Sequence, residues 1–293
     1  MRVAIIGASG LVGGALIEAF GTSVVAATSF TQDAPGLTKL DMRSPHQIDS
    51  LLASSRPDVV LLPAANPNVD GCERDPVGTR AVNITGTANV ANACRQHGCK
   101  LVFFSTDYVF DGRAGPYSED AEPHPINEYA RQKLEAEYIA RKLPSYMIIR
   151  IANVFGPERQ GKNFVYRVVR ELGAGRELLL PNDQISTPTY APDIAAAVRT
   201  LVERDTTGIW NVAGPEVMDR VSFAVQIASE WKLNASLLKG VPTADLGQTA
   251  PRPLRAGLTI KKLQAAGICM LPPAEALSTM HLRLSDKASG SGR

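Results

Sequence analysis

The chain has 293 residues, 44% of them apolar and 20% charged, which is ordinary globular composition with ample material for a core. Its formal charge is +2, with Lys and Arg scattered rather than striped, so neither nucleic acid nor an anionic membrane surface is an expected partner. No apolar run approaches bilayer length, and the N-terminal run Val3–Ile6 breaks at Gly7, too soon for the core of a signal peptide.

In chain order, Val3–Ile6 reads as a buried strand followed at once by GASGLVGG, residues 7–14, and a predicted helix over Leu11–Phe20. Gly7, Gly10 and Gly13 recur every three residues. Small residues there allow a tight turn and a close approach by a pyrophosphate, which the helix N-terminus then favours. The same glycines could serve a tight turn without a ligand, but their place after the first strand favours a dinucleotide. A second strand is expected over Val24–Ala27. It leads into Thr28-Ser29-Phe30, where an NAD binder would carry a carboxylate for the ribose diol. Neither a carboxylate nor an arginine stands at that place in the sequence. Thr28 and Ser29 can hydrogen-bond either nucleotide, so NADP(H) or NAD(H) is expected, with a lean to NADP(H).

Further strands are predicted over Val59–Leu62, Leu101–Phe104 and Met147–Ile151, with helices over Gln47–Ser54, Gly78–Gln96 and Glu128–Lys142. Near-continuous apolar strands alternating with amphipathic helices predict an α/β fold, a Rossmann-type doubly wound parallel sheet. The four cysteines (Cys72, Cys94, Cys99, Cys269) make no CxxC pair and no disulfide-scaffold spacing. Cys94, His97 and Cys99 read as a helix end entering the next strand rather than as zinc ligands. Reduced thiols and a cytoplasmic protein are expected.

The strand Leu101–Phe104 stops on Ser105-Thr106-Asp107, and a helix carrying Tyr129 and Lys133 follows. Their four-residue spacing puts both side chains on one helix face. A phenol, with pKa about 10, moves protons near neutrality only when its environment helps, and an ammonium one turn away is expected to stabilise the phenolate. Glycine loop, polar strand end and Tyr-Lys helix all fall at the carboxyl edge of one sheet, where open α/β sheets bind ligands.

Beyond Asn153 the pattern loosens. Helices are predicted over Phe164–Leu172, Ala191–Glu203 and Val221–Trp231, a strand over Gly208–Val212, and a loop from Pro242 to Pro253. The expected division is a dinucleotide-binding domain over 1–153 with the Tyr-Lys helix, and a smaller substrate lobe over 154–293. Some late elements return to the main sheet, and the tail is expected to be disordered from about 286.

Taken together, GASGLVGG (7–14), LDM (40–42), STDYVFDG (105–112), PYSED (116–120), PINEYARQK (125–133), GKNFV (161–165), STPTYAPDIA (186–195) and RPLRAGL (252–258) give a resemblance over nearly the whole chain. The sequence resembles the extended short-chain dehydrogenase/reductase family, and within it the dTDP-4-dehydrorhamnose reductases. The resemblance implies that Gly7, Ser9, Gly10, Leu11, Val12 and Gly13 lie under the pyrophosphate, Asp41 and Met42 beside the adenine, and Ala64 and Ala65 along the cofactor. It implies Thr106, Tyr129 and Lys133 as the catalytic set, Ser105 as a second hydroxyl and Asp107 as a substrate neighbour. Asn153 falls at the boundary between cofactor and substrate, and Arg252 is the candidate for a substrate diphosphate. The activity so implied is NAD(P)H-dependent reduction of a nucleotide-activated 4-keto-6-deoxy sugar by a possible homodimer.

Three departures stand out: Asn66-Pro67 where the family has Tyr or Thr, the late Arg252-Pro253-Leu254-Arg255-Ala256, and Leu11-Val12 in the glycine loop. They leave the sugar nucleotide open. Two rivals stay in view. One is an epimerase or epimerase/reductase of another nucleotide sugar. The other is a non-catalytic NADP-binding subunit, since the regulatory β subunit of methionine adenosyltransferase resembles the same reductases.

Overall fold

The computed structural model describes residues 1–30 and 34–290, with side chains described through residue 286. The strands are β1 (Val3–Ile6), β2 (Val24–Ser29), β3 (Thr38–Lys39), β4 (Val59–Leu62), β5 (Lys100–Thr106), β6 (Tyr146–Ile151), β7 (Val154–Phe155), β8 (Leu178–Pro181), β9 (Ile185–Ser186), β10 (Thr189–Tyr190), β11 (Gly208–Asn211), β12 (Met218–Asp219) and β13 (Leu238–Val241). The helices are α1 (Leu11–Phe20), α2 (Pro45–Ser55), α3 (Val69–Arg74), α4 (Pro76–Arg80), α5 (Thr87–His97), α6 (Glu128–Ala140), α7 (Phe164–Gly173), α8 (Ala191–Glu203), α9 (Arg220–Glu230), α10 (Lys261–Ala265) and α11 (Pro273–Gly290). The long helix expected over Gly78–Gln96 is α4 and α5 joined by a π-helical stretch at Ala81–Gly86.

The main sheet has seven strands in the order β11-β6-β5-β4-β1-β2-β3, every pair parallel. The chain winds outward from β1 in both directions, so the order reverses between β1 and β4. That reversal opens a crevice at the carboxyl edge. Parallel strands buried on both faces need apolar residues on both, and VAII of β1 and VVLL of β4 are wholly buried. Two cores result. One face packs Val3, Ile5, Val102 and Met147 against Leu16 of α1 and Val198 and Leu201 of α8. The other packs Ile6, Val60 and Leu101 against Leu52 of α2, Val90 of α5 and Ala136 of α6.

A third core, with Phe155, Val168, Leu180, Phe223, Ile227 and Leu277, holds the C-terminal lobe of α7, α9, α11 and the β8–β13 pair. The chain does not stay in that lobe: β11 returns to pair with β6, and α8 covers the main sheet. Helix α11 extends to Gly290, and residues 291–293, at the end of the tail expected from about 286, lie outside the described residues. Among the described residues no helix is long and apolar enough to cross a membrane.

Candidate active site

A cavity of about 590 Å³ runs along the carboxyl edge of the sheet and crosses the β1–β4 reversal. Its first wall is the glycine loop: Gly7, Ser9, Gly10, Leu11, Val12 and Gly13 all line it. Gly7 has φ +102° and passes so close to Ala64 that a Cβ would lie 2.7 Å from its backbone. A Cβ on Gly13 would lie 2.2 Å from the Gly7 carbonyl oxygen. At Gly10 an added Cβ would meet only that same oxygen, at 3.6 Å. The first two glycines therefore serve the protein's own packing, and Gly10 is kept bare on the cavity side. Helix α1 has Gly10 as its N-cap, with no side-chain cap and no acidic residue in its first turn, so its free N–H groups face the cavity without a competing anion.

Thr28, Phe30, Leu40, Asp41, Met42, Ala64 and Ala65 continue the lining. The adenosine-side residues named from the sequence are thus brought together. Asp41 is not open, however, because Arg43 pairs with its carboxylate at 2.7 Å and holds its pKa below the usual range.

β5 runs past the apolar residues to Ser105 and Thr106, so these hydroxyls are the last positions of a buried strand rather than loop residues. The Ser105 hydroxyl is buried, lines the cavity and has no hydrogen-bond partner, which leaves a polar atom for a ligand to satisfy. Thr106 accepts from the Tyr108 backbone N–H at 3.2 Å, starting a short turn, and donates to Asp107 at 3.2 Å. Asp107 lines the cavity but spends both carboxylate oxygens on the protein: one on Thr106, the other on the Ser186 hydroxyl at 3.1 Å and the Gly257 N–H at 3.3 Å. Expected as a substrate neighbour, it lies on the cavity lining and also clamps the strand end to the C-terminal lobe. Burial raises its pKa against those hydrogen bonds.

Asn127 caps α6 by accepting from the Ala130 N–H at 2.9 Å, and Glu128 in the first turn suits the helix dipole. Ala130, Ala136 and Ala140 are small enough to bring this helix close to the sheet. Tyr129 and Lys133 both line the cavity. The Lys133 ammonium donates to the Phe104 carbonyl at 2.6 Å and lies 4.1 Å from the Phe103 ring centroid. Burial lowers its pKa to about 7, opposed by the charge of Glu137 one turn on. The Tyr129 pKa is raised, first by burial and then by Asp107, Cys72 and Tyr108, with Thr106 opposing. Lys133 is not among the groups that shift Tyr129, and burial favours the neutral phenol, the form that donates a proton.

Asn153, at the end of β6, lines the cavity in the left-handed region at φ +42° and accepts a hydrogen bond from Arg220, the first residue of α9. Arg220 packs over Phe164 and faces Asp107 and Tyr108. It is the arginine that reaches the cavity from the lobe, and nothing local in the sequence marked it. Arg252, the expected diphosphate contact, is not on the cavity lining. Asp70 of α3 captures its guanidinium at 3.0 Å, and its other arm donates to the Ala250 carbonyl at 2.7 Å. Among the described residues no group of three or more His, Cys, Asp or Glu could hold a metal ion, and His97 pairs with Asp49 at 2.8 Å.

A parallel doubly wound sheet, a glycine loop at its reversal and a Tyr-Lys helix facing a hydroxyl-bearing strand end define the extended short-chain dehydrogenase/reductase class. Within it, the chain belongs to the family described as RmlD substrate binding domain, whose model matches residues 1–284. It is 31% identical to the probable low-salt glycan biosynthesis reductase Agl14 of Haloferax volcanii, over 99% of this chain and 100% of that one. The crystal structure of dTDP-4-dehydrorhamnose reductase from Bacillus anthracis in complex with NADP is similar with a TM-score of 0.84 and 28% identity, covering 96% of this chain and 99% of that one. The methionine adenosyltransferase 2 subunit beta of Danio rerio is 29% identical over 91% of this chain and 85% of its own.

Proposed function

We propose that the chain is an NAD(P)H-dependent reductase of a nucleotide-activated 4-keto-6-deoxy sugar. The observation that carries this reading is the meeting of Thr106, Tyr129 and Lys133 in one cavity with the glycine loop. A reduced nicotinamide, when bound, supplies the hydride that the carbonyl carbon needs. The rest falls to the chain's own residues. Gly10 and the bare start of α1 receive the pyrophosphate, while the unpartnered Ser105 hydroxyl and the Lys133 ammonium lie where the reacting end of the dinucleotide must pass. Tyr129, kept protonated by burial, gives its proton to the developing alkoxide. Thr106 steadies the same oxygen, its position fixed by the Tyr108 N–H and Asp107. Arg220, in place of Arg252, meets the substrate's diphosphate from the lobe side. The cytoplasm is the proposed location, supported by buried free thiols at Cys72, Cys94 and Cys99.

The test is NADPH consumption with a panel of nucleotide 4-keto-6-deoxy sugars. Turnover of at least one is expected. Tight NADPH binding with no turnover on any member would make the chain a binding subunit.

A further inference from the structure

The adenosine end of the cavity differs from what the sequence suggested, because folding brings an arginine to it. Segment 40–43 is tied to the end of β2 through the Leu40 N–H and the Ser29 carbonyl, at 2.9 Å. Asn89 of α5 holds the other side by donating to the Met42 carbonyl at 3.1 Å and the Arg43 carbonyl at 3.3 Å. From this anchored backbone the Arg43 guanidinium lies 5.1 Å from the Phe30 ring centroid. It also grips Asp41, with Nε 2.9 and 3.0 Å from the two carboxylate oxygens and Nη2 2.7 Å from one of them. Phe30 and Asp41 both line the cavity; the cation they hold is not itself on the lining but adjoins it through these two contacts.

Two consequences follow for a dinucleotide. Among the described residues the only carboxylate lining this end, Asp41, is already paired with Arg43 and cannot repel a phosphate as a ribose-binding acid would. The guanidinium is planar, permanently charged and pre-oriented by Asp41 and Phe30, and so needs little ordering to meet a phosphate.

We infer that Arg43 is the residue that selects NADP(H), by binding the 2′-phosphate of the adenosine ribose beside Thr28–Phe30. Asp41 is then a positioning residue that holds the guanidinium rather than a ribose ligand. This inference rests on the cavity being a nicotinamide-dinucleotide site. It does not depend on which sugar is reduced.

Full-length wild type, Arg43→Ala and Arg43→Lys are titrated without sugar, using NADPH and NADH by nicotinamide fluorescence and 2′,5′-ADP and ADP by competition. Arg43→Ala is expected to weaken NADPH and 2′,5′-ADP about tenfold or more, the loss of a charge-assisted contact, while NADH and ADP change less than about twofold. Arg43→Lys should recover part of the loss. Retained NADH binding reports that the variant is folded. Equal losses for the phosphorylated and unphosphorylated members of each pair would reduce Arg43 to a partner of Asp41 and overturn the inference, as would no loss at all. Because no sugar is present, failure here leaves the reductase reading standing, and failure of that reading leaves these titrations interpretable.

Discussion

Lys133 reaches from α6 to the Phe104 carbonyl at 2.6 Å, so the ammonium of the catalytic helix is fastened to the strand that carries Thr106. Burial lowers its pKa to about 7, with Glu137 the charged neighbour opposing the shift. In the unfolded chain the group titrates near 10.4. Between those values the unfolded chain therefore holds more protons than the folded one, and stability contributed by this site rises with pH. Below about pH 7 the full cost of a buried ammonium is borne. Lys133→Met removes it, so the variant's advantage in melting temperature over wild type should be largest near pH 6 and shrink towards pH 9.5. A gap that stays constant across that range would rule out this account of the lysine.

Tyr129→Phe keeps the ring against Tyr108, 6.3 Å away between centroids, and removes only the hydroxyl. Turnover should fall by roughly 10²–10⁴ with NADPH affinity unchanged. Stopped-flow single turnovers alongside fluorescence titration would separate the two. A variant retaining more than a tenth of wild-type turnover would displace Tyr129 from the role.

Two glycines of one loop should respond in opposite ways. Gly10→Val has room within the protein and projects branched carbons towards the pyrophosphate, so calorimetry should find dinucleotide binding lost at an unchanged melting temperature. Gly13→Ala meets the Gly7 carbonyl and should lower the melting temperature instead. Equal binding by Gly10→Val would make the loop a turn and nothing more.

Arg220→Met should raise KM for the nucleotide sugar about tenfold while leaving NADPH affinity within about twofold, as expected for loss of a charged contact to a diphosphate. The variant to compare is Arg252→Met, which should act on stability through Asp70 and leave the KM unmoved.

Glu137 and Arg150 form an ion pair at 2.8 Å with both side chains essentially inaccessible. Glu137→Gln leaves the guanidinium buried without its counter-charge and should cost about 3–5 kcal/mol. Urea unfolding measures it, and a loss under 1 kcal/mol would mean that the carbonyl of Glu119, which also accepts from Arg150, suffices.

What could be read in advance was local. The glycine loop, the Ser105-Thr106 strand end and the Tyr129–Lys133 spacing lie within single elements whose periodicity is visible in a short window. Arg220 and the Asp107–Ser186 contact come from segments that meet only after folding, as does the packing of Arg43 on Phe30, although Arg43's partner Asp41 is two residues away. The pairing of Arg252 with Asp70 was hidden for the same reason, since Asp70 lies far up the chain. The upward shift of the Tyr129 phenol was not legible because helix spacing predicts which side chains share a face but not how much water remains around them. Two-residue strands such as β7 and β10 carry no period at all.

The late arrival of β11 makes the two lobes one unit during synthesis. Residues Met147–Arg150 pair on their outer side with Gly208–Asn211, which a ribosome delivers only after α7, β8 and α8. Until then the nascent sheet ends in an apolar strand with its main-chain groups open, a surface that invites pairing with a second copy. A fragment cut at Asn153 would keep that flaw permanently. Such a fragment should aggregate rather than behave as a free-standing nucleotide-binding module, and chaperone protection has most to offer in the interval between the emergence of residue 151 and that of residue 211.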